Sequence, residues 1–290
     1  MFPTEKYDLI AERVGGPFID PPPASWEELA LVHTPEYLAK MRDGAMTAQD
    51  VAELELPWSA AMVDAFRCMT GGTIHAARLA CDLESPKSEV RSQIVVHIGG
   101  GLHHAFPSHG EGFCPFNDVA VAARVLQQGG TGRIAIVDLD VHHGNGTAFI
   151  FEADPRVFTF SMHQQHNYPM WKPRSTLDVG LPDGVHDAAF LRELDRALPQ
   201  VMDHRPQCVF YLAGADPYED DQLGGLRLTK DGLRLRDRRV IDAVRSAGVP
   251  LVIVLAGGYA RHVEDTVAIH VATIEEAACG SRSLNSIPTF

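Results

Sequence analysis

Arg133-Ile134-Ala135-Ile136-Val137-Asp138-Leu139-Asp140-Val141-His142-His143-Gly144-Asn145-Gly146 joins a short, unbroken apolar run to a cluster of carboxylates, imidazoles and glycines. A half-buried strand alternates apolar and polar residues. A continuous run rich in Val and Ile instead fits a parallel strand covered on both faces. The run at 133–139 has counterparts at 94–98, 157–161, 208–213 and 250–256. Helices are expected between them: one or two in 57–82, divided at Gly71-Gly72, then 116–128, 186–201, 229–247 and 260–279, with Asp187 and Thr229 as N-caps. Strands alternating with helices predict an α/β fold of three α/β/α layers around a mainly parallel sheet. No internal repeat or low-complexity linker divides the chain, and Pro21-Pro22-Pro23 stands too near the start to bound a unit, so 1–290 reads as a single domain.

Composition narrows the function classes. The chain has 290 residues, 45% of them hydrophobic, enough for one sizeable core. Lys plus Arg number 25 against 38 Asp plus Glu, a net charge of −13. Such a surface repels phosphate backbones, which argues against nucleic acid and is compatible with a cationic substrate. The plainer account is that acidic surfaces keep proteins in solution. The five cysteines are odd in number, form no C-x-x-C pair and mostly sit in apolar stretches, as reduced thiols of a cytoplasmic protein would. The start, Met1-Phe2-Pro3-Thr4-Glu5-Lys6, lacks a signal-peptide apolar run, and no stretch is long and apolar enough to span a bilayer.

Ligands of open parallel sheets bind beyond the carboxyl ends of the strands. There the sequence places Gly99-Gly100-Gly101-Leu102-His103-His104, the Asp138–Gly146 run, Ser161-Met162-His163, Gly214-Ala215-Asp216 and Gly257-Gly258-Tyr259. Alternation along an extended segment puts Asp138, Asp140 and His142 on one face. One carboxylate and one imidazole from this run, with Asp216 from another strand end, make an Asp2His set. Three protein ligands and an open position are the pattern of a catalytic zinc site. Taken singly, an Asp after a strand often caps the next helix, and a buried His is often a satisfied core residue. Together, so many buried charges without a metal are costly. His103 and His104 are the proton-transfer groups, with Asp138 and Asn145 as orienting partners of unequal charge. Tyr259, after a Gly-Gly turn, suits a hydroxyl aimed at a developing oxyanion.

These motifs, together with Val32-His33-Thr34-Pro35-Glu36-Tyr37-Leu38 and Gly112-Phe113-Cys114-Pro115-Phe116-Asn117-Asp118, resemble the zinc-dependent histone deacetylase family, within the arginase–deacetylase fold. Gly71-Gly72-Thr73, Asn145 and Leu223-Gly224-Gly225-Leu226 look like its class IV branch and bacterial relatives. The resemblance implies Zn²⁺ on Asp140, His142 and Asp216, with Fe²⁺ able to use the same ligands. It implies His104 as general base and then acid, His103 paired with Asp138 as an electrostatic group, and Tyr259 on the substrate carbonyl. Phe113 and Tyr168 fall at the aromatic walls of the acyl-lysine channel, with Gly101 beside it. A structural K⁺ would take Asp138, Asp140 and Ser161 by side chain, and backbone oxygens of Asp138, His142 and Met162.

The expected substrate is an acyl-lysine protein or peptide bearing an acetyl or longer acyl group. An acetylpolyamine or small amide is the alternative. Two departures from the family pattern are expected: the first bears on the depth and selectivity of the channel, and the second reshapes its rim or favours a cationic substrate. The usual first strand and loop are expected to be absent, since the chain starts at Met1-Phe2-Pro3, and Asp220 replaces a usual Gly. An arginase-like dimanganese ureohydrolase is disfavoured because Pro217-Tyr218 follows Asp216 in place of a second ligand. A non-catalytic acyl binder would be expected to lack Tyr259 or the His pair. Gly99-Gly100-Gly101 does not make the dinucleotide motif G-x-G-x-x-G. Oligomeric state is not legible.

Overall fold

The apolar runs become strands. The computed structural model describes residues 4–81 and 94–279. In it β1 (Ile94–His97), β2 (Ile134–Asp138), β3 (Val157–Gln164), β4 (Leu177–Leu181), β5 (Cys208–Leu212) and β6 (Leu251–Val254) form one open sheet in the order β1-β6-β5-β2-β3-β4. All neighbours are parallel. β4 has no counterpart among the expected strands. It lies at the edge, alternates in burial and carries Asp178 and Gly180, so it lacks the continuous apolar signature.

The helices are α1 (Glu5–Val14), α2 (Trp26–Leu29), α3 (Pro35–Asp43), α4 (Ala48–Leu54), α5 (Ala60–Ala80), α6 (Asp118–Gln128), α7 (Asn145–Phe151), α8 (Asp187–Asp203), α9 (Lys230–Ser246) and α10 (Val263–Ala278). Strand alternation divides the core between two faces. Ile134, Ile136, Phe210, Leu212, Val252 and Val254 pack with α5 and α6. Ala135, Val137, Val209, Tyr211, Leu251 and Ile253 pack with α8 and α9. Burying a Val, Leu or Ile side chain is worth about 1.5–3 kcal/mol, so covering both faces accounts for the three layers. No helix among the described residues is long and apolar enough to cross a membrane.

Two local expectations need correction. Gly71-Gly72 does not divide the helix: α5 runs unbroken through both. A Cβ on Gly71 would lie 2.1 Å from the Pro22 carbonyl oxygen, and one on Gly72 would lie 2.3 Å from His97 Nε2. The pair permits close packing, which outweighs its poor helix propensity. The last residue of the expected 57–82 stretch, Asp82, lies outside the described residues. Thr229 caps α9, accepting from Gly232 N at 2.9 Å. Asp187 does not cap α8. It is the first helical residue, and its carboxylate accepts from Thr229 N and Oγ1 at 2.9 and 2.7 Å, tying the start of α9 to α8.

The strand order fixes where chemistry can occur. From β2 the chain moves outward to β3 and β4, then returns to β5 on the other side of β2 and continues to β6. The segments leaving β2 and β5 therefore diverge, opening a crevice between two paired strands.

Candidate active site and metal centre

The crevice brings together the residues read from the strand ends. After β2, Asp138 accepts from the Asp140 N–H at 3.2 Å, and Asp140 accepts from the His142 N–H at 2.9 Å. After β5, Asp216 Oδ1 accepts from the Val141 N–H at 2.9 Å. These bonds fold two strand ends onto one another and bring Asp140, His142 and Asp216 together, each offering a ligand atom within 4.8 Å of the others. His142 Nδ1 lies 3.0 Å from Asp140 Oδ1 and 3.5 Å from Asp216 Oδ2. Gly257 N–H donates to Asp140 Oδ2 at 3.0 Å, and a Cβ at Gly257 would meet Asp216 Oδ2 at 2.0 Å, so the backbone passes where no side chain fits.

The charges fit a cation. Asp216 is fully buried, and its Oδ2 has no hydrogen-bond partner among the described residues. Burial and the Asp140 charge push its pKa up to about 7. Burial opposes charging His142, but the two carboxylates outweigh it and lift the imidazole to about 10. An orphan buried oxygen between two repelling carboxylates and one imidazole is the arrangement a divalent cation with three protein ligands satisfies.

The His pair stands above this set. Gly100 and Gly101, both at positive φ, turn the chain after β1, and the Asp118 carboxylate pins the turn by accepting from Gly101 N and Leu102 N at 3.0 and 2.7 Å. His103 Nδ1 donates to Asp138 at 2.7 Å, while His104 Nδ1 pairs with Asn145 Oδ1 at 2.7 Å. Burial disfavours charge on both rings. The carboxylates of Asp138 and Asp140 overcome it at His103 and raise that pKa to about 9. At His104 the charges of His103 and His142 add to burial and hold it well below the usual histidine value. The expected inequality of the two histidines is therefore present: one is held charged, the other neutral with a lone pair to offer.

Gly101, His103, His104, Phe113, Tyr168 and Tyr259 line a cavity of about 210 Å³ with Asp140, His142 and Asp216. Phe113 takes a left-handed φ of 66°, a conformation costing of order 1–2 kcal/mol, and its N–H donates to the Leu54 carbonyl at 2.9 Å. Its ring lies 6.2 Å from that of Tyr259. The ring of Tyr168 lies 5.0 Å from that of His104 and nearly perpendicular to it. Tyr259 is held by its backbone, N–H to Asp221 at 2.7 Å and carbonyl to the Gln222 N–H at 3.1 Å. Burial and the charges of Asp140 and Asp216 keep its phenol protonated, as an oxyanion donor requires. Asp138 and Asn145 stand behind the His rings. The β2–β3 register sets Asp138 opposite Ser161, with Met162 next along β3. Ser161 Oγ also meets His163 Nδ1 at 3.0 Å. Asp220 pairs with Arg261 at 3.2 Å on the exposed surface.

Several residues here had no role in the sequence reading. Lys6 is fully buried, and its ammonium donates to the carbonyls of Ala256 and Gly258 at 3.2 and 3.5 Å, bracing the turn before Tyr259. Burial lowers it to about 8. The available signal was its spacing four residues before Ile10 on one helix face. Glu111 accepts from both Asn145 and Tyr168, and only its place beside Gly112-Phe113 marked it. His143, His163 and Asp178 form a second group, with His143 Nε2 3.1 Å from Asp178 Oδ1, tying the edge strand β4 to the β2 loop.

Comparison with known proteins gives the family. Residues 4–274 match the histone deacetylase domain, and the chain belongs to that family. It is 44% identical over 86% of its length to an uncharacterised protein of Picosynechococcus sp., covering 80% of that protein. It is 35% identical over 72% of its length to a polyamine deacetylase of Rattus norvegicus, of which it spans only 38%. Among solved structures, a histone deacetylase homologue complexed with SAHA superposes with a TM-score of 0.75 at 26% identity, covering 94% of this chain and 75% of that one.

Proposed function

We propose that this chain is a zinc-dependent amide hydrolase that removes acetyl or longer acyl groups from lysine side chains, with 1–290 acting as a single catalytic domain in the cytoplasm. The observation that carries this reading is the buried Asp140, His142 and Asp216 set, with its orphan Asp216 oxygen, on the floor of a cavity that His104 and Tyr259 also line. Asp140, His142 and Asp216 would hold Zn²⁺, or Fe²⁺ on the same donors, which supplies polarisation of the amide carbonyl and a water of lowered pKa. Asp138, Asp140 and Ser161, with backbone oxygens of Asp138, His142 and Met162, would hold a structural K⁺.

The protein's own groups then divide the proton work. His104, neutral, takes the proton from attacking water and returns it to the leaving amine. His103, held charged against Asp138, stabilises the developing negative charge. Tyr259 donates to the oxyanion, and Phe113, Tyr168 and Gly101 flank the acyl chain. An acetylpolyamine is the second reading, favoured by Glu55 on the cavity wall, by the net charge of −13 and by the likeness to a polyamine deacetylase.

The test is a panel of acyl-lysine peptides of increasing chain length plus acetylpolyamines, with metal analysis of the same sample. Hydrolysis with one equivalent of Zn or Fe at the three ligands is expected. Two equivalents of Mn per active chain, or one Zn with no amide turned over, would sink the assignment.

A further inference from the structure

We propose that Glu111 is a positioning residue that fixes the tautomer of His104 through the side-chain amide of Asn145. The inference rests on the hydrolase reading above only in making His104 the base. An asparagine amide is nearly symmetric in shape, and either end fits against a ring nitrogen. With its oxygen toward the ring, the ring nitrogen must carry a proton; with its NH₂ toward the ring, that nitrogen must be bare. Part of the choice is made by the charged His103, whose Nε2–H faces the opposite ring nitrogen at 3.1 Å, and part on the far side of the amide.

There Glu111 Oε1 accepts from Asn145 Nδ2 at 3.0 Å. A carboxylate can only accept, so it holds the NH₂ and turns Asn145 Oδ1 toward His104 Nδ1, 2.7 Å away. His104 is then protonated at Nδ1 and presents its lone pair at Nε2, which lies 3.1 Å from His103 Nε2. That is the tautomer a base in this cavity needs.

Glu111 is itself held in place. Tyr168 Oη donates to the same Oε1 at 2.8 Å, His109 Nε2 lies 3.7 Å from Oε2, and the backbone exchanges hydrogen bonds with Cys114 at 3.2 and 2.9 Å. Burial tends to raise its pKa, but the neighbouring His109 and the hydrogen bonds from Tyr168 and Asn145 outweigh this and keep it ionised. An aspartate at 145 would face the ring with an oxygen whichever way it turned. With asparagine there, the negative charge sits one residue further from the ring. Direction is retained while His104 is spared the basicity a neighbouring carboxylate would confer. Because Tyr168 shares the oxygen, a wall of the cavity and the orientation of the base depend on one group.

The test uses the zinc-loaded protein labelled with ¹⁵N-histidine and three chains: native, Glu111→Gln and Asn145→Asp/Glu111→Gln. The native His104 should show one protonated Nδ1 and one bare Nε2. In Glu111→Gln the new side chain offers both a carbonyl and an amide, so its pairing with Asn145 can run in either direction. His104 should then populate both tautomers, with kcat about tenfold lower and KM changed by no more than about twofold. In the double variant position 145 presents only oxygen, so the single Nδ1–H tautomer should return, and the carboxylate beside the ring should raise the His104 pKa read in the same spectra. Glu111→Gln retaining a pure Nδ1–H tautomer overturns the proposal, as does a double variant that fails to recover it. If the native chain hydrolyses no acyl amide, the hydrolase reading fails, but the tautomer spectra still decide the role of Glu111.

Discussion

Two buried clusters of charge meet the ends of β2 and β5, and they are built on opposite principles. Asp140, His142 and Asp216 open on a cavity and leave Asp216 Oδ2 without a partner. Tyr211, Arg236, Asp237 and Thr273 are enclosed between β5, α9 and α10. There Asp237 Oδ1 takes Tyr211 Oη and Arg236 Nε, and Oδ2 takes Thr273 Oγ1 at 2.6 Å. The second cluster braces the first. Arg236 Nη1 donates to the carbonyls of Gly214, at 2.6 Å, and Leu139, at 3.4 Å, in the segments that carry Asp216 and Asp140. A buried carboxylate with donors on both oxygens is architecture. One with an orphan oxygen on a cavity is held ready for a ligand.

This contrast can be broken experimentally. Asp140→Ala should abolish turnover and metal binding; the metal-free protein should lose some stability through the His142 and Gly257 N–H groups left without an acceptor, but less than Asp237→Ala costs, because the charge that repels Asp216 goes too. A large drop in the apo melting temperature would place Asp140 among the structural charges. Asp237→Ala should do the reverse. It strands the fully buried Arg236 and should cost about 3–5 kcal/mol of stability, while the fraction that folds keeps its metal. Urea denaturation with metal analysis of the folded fraction reads both quantities. Next in size is Tyr259→Phe, which removes one donor and leaves packing and ligands alone. Turnover should fall about a hundredfold with metal content intact. Unchanged turnover would mean the oxyanion is stabilised elsewhere.

Much of the cavity floor was legible in the sequence because glycine-flanked Asp, His and Tyr residues follow continuous apolar runs, and parallel topology gathers such strand ends. What escaped depends on contacts between segments distant in the chain. β4 is an edge strand whose Asp178 and Gly180 hide it among loops. Gly71-Gly72 reads as a break, because local propensity carries no information about the Pro22 carbonyl and His97 packed against it. Asp187 has the look of a cap, yet it serves a helix forty-two residues away. Lys6 and Glu111 are ordinary surface residues by type. They become buried supports only when α1 meets the Tyr259 turn and the 111–114 turn meets α7.

The smallest expected effect sharpens the comparison at a single residue, His33. It belongs with the satisfied groups. Nδ1 meets the Phe106 carbonyl at 3.0 Å, and Nε2 accepts from the Asn117 N–H at 3.1 Å, at the cap of α6. Protonating Nε2 would break that second bond, and the surroundings are the rings of Tyr37 and Phe116. Burial accordingly lowers its pKa to about 4. The folded pKa lies below the unfolded value of about 6.5, so between them the unfolded chain binds the extra proton. The stabilisation is present above the unfolded value and is lost as pH falls through the folded one. Going from pH 7 to pH 5 should cost about 2 kcal/mol from this residue. His97, also lowered to about 4 by burial, should add a slope of the same sign. His33→Gln, which can still offer a donor and an acceptor, should flatten the stability profile over this interval by about one proton. A profile equally steep without His33 would show that its satisfied state is not what the acid limb titrates.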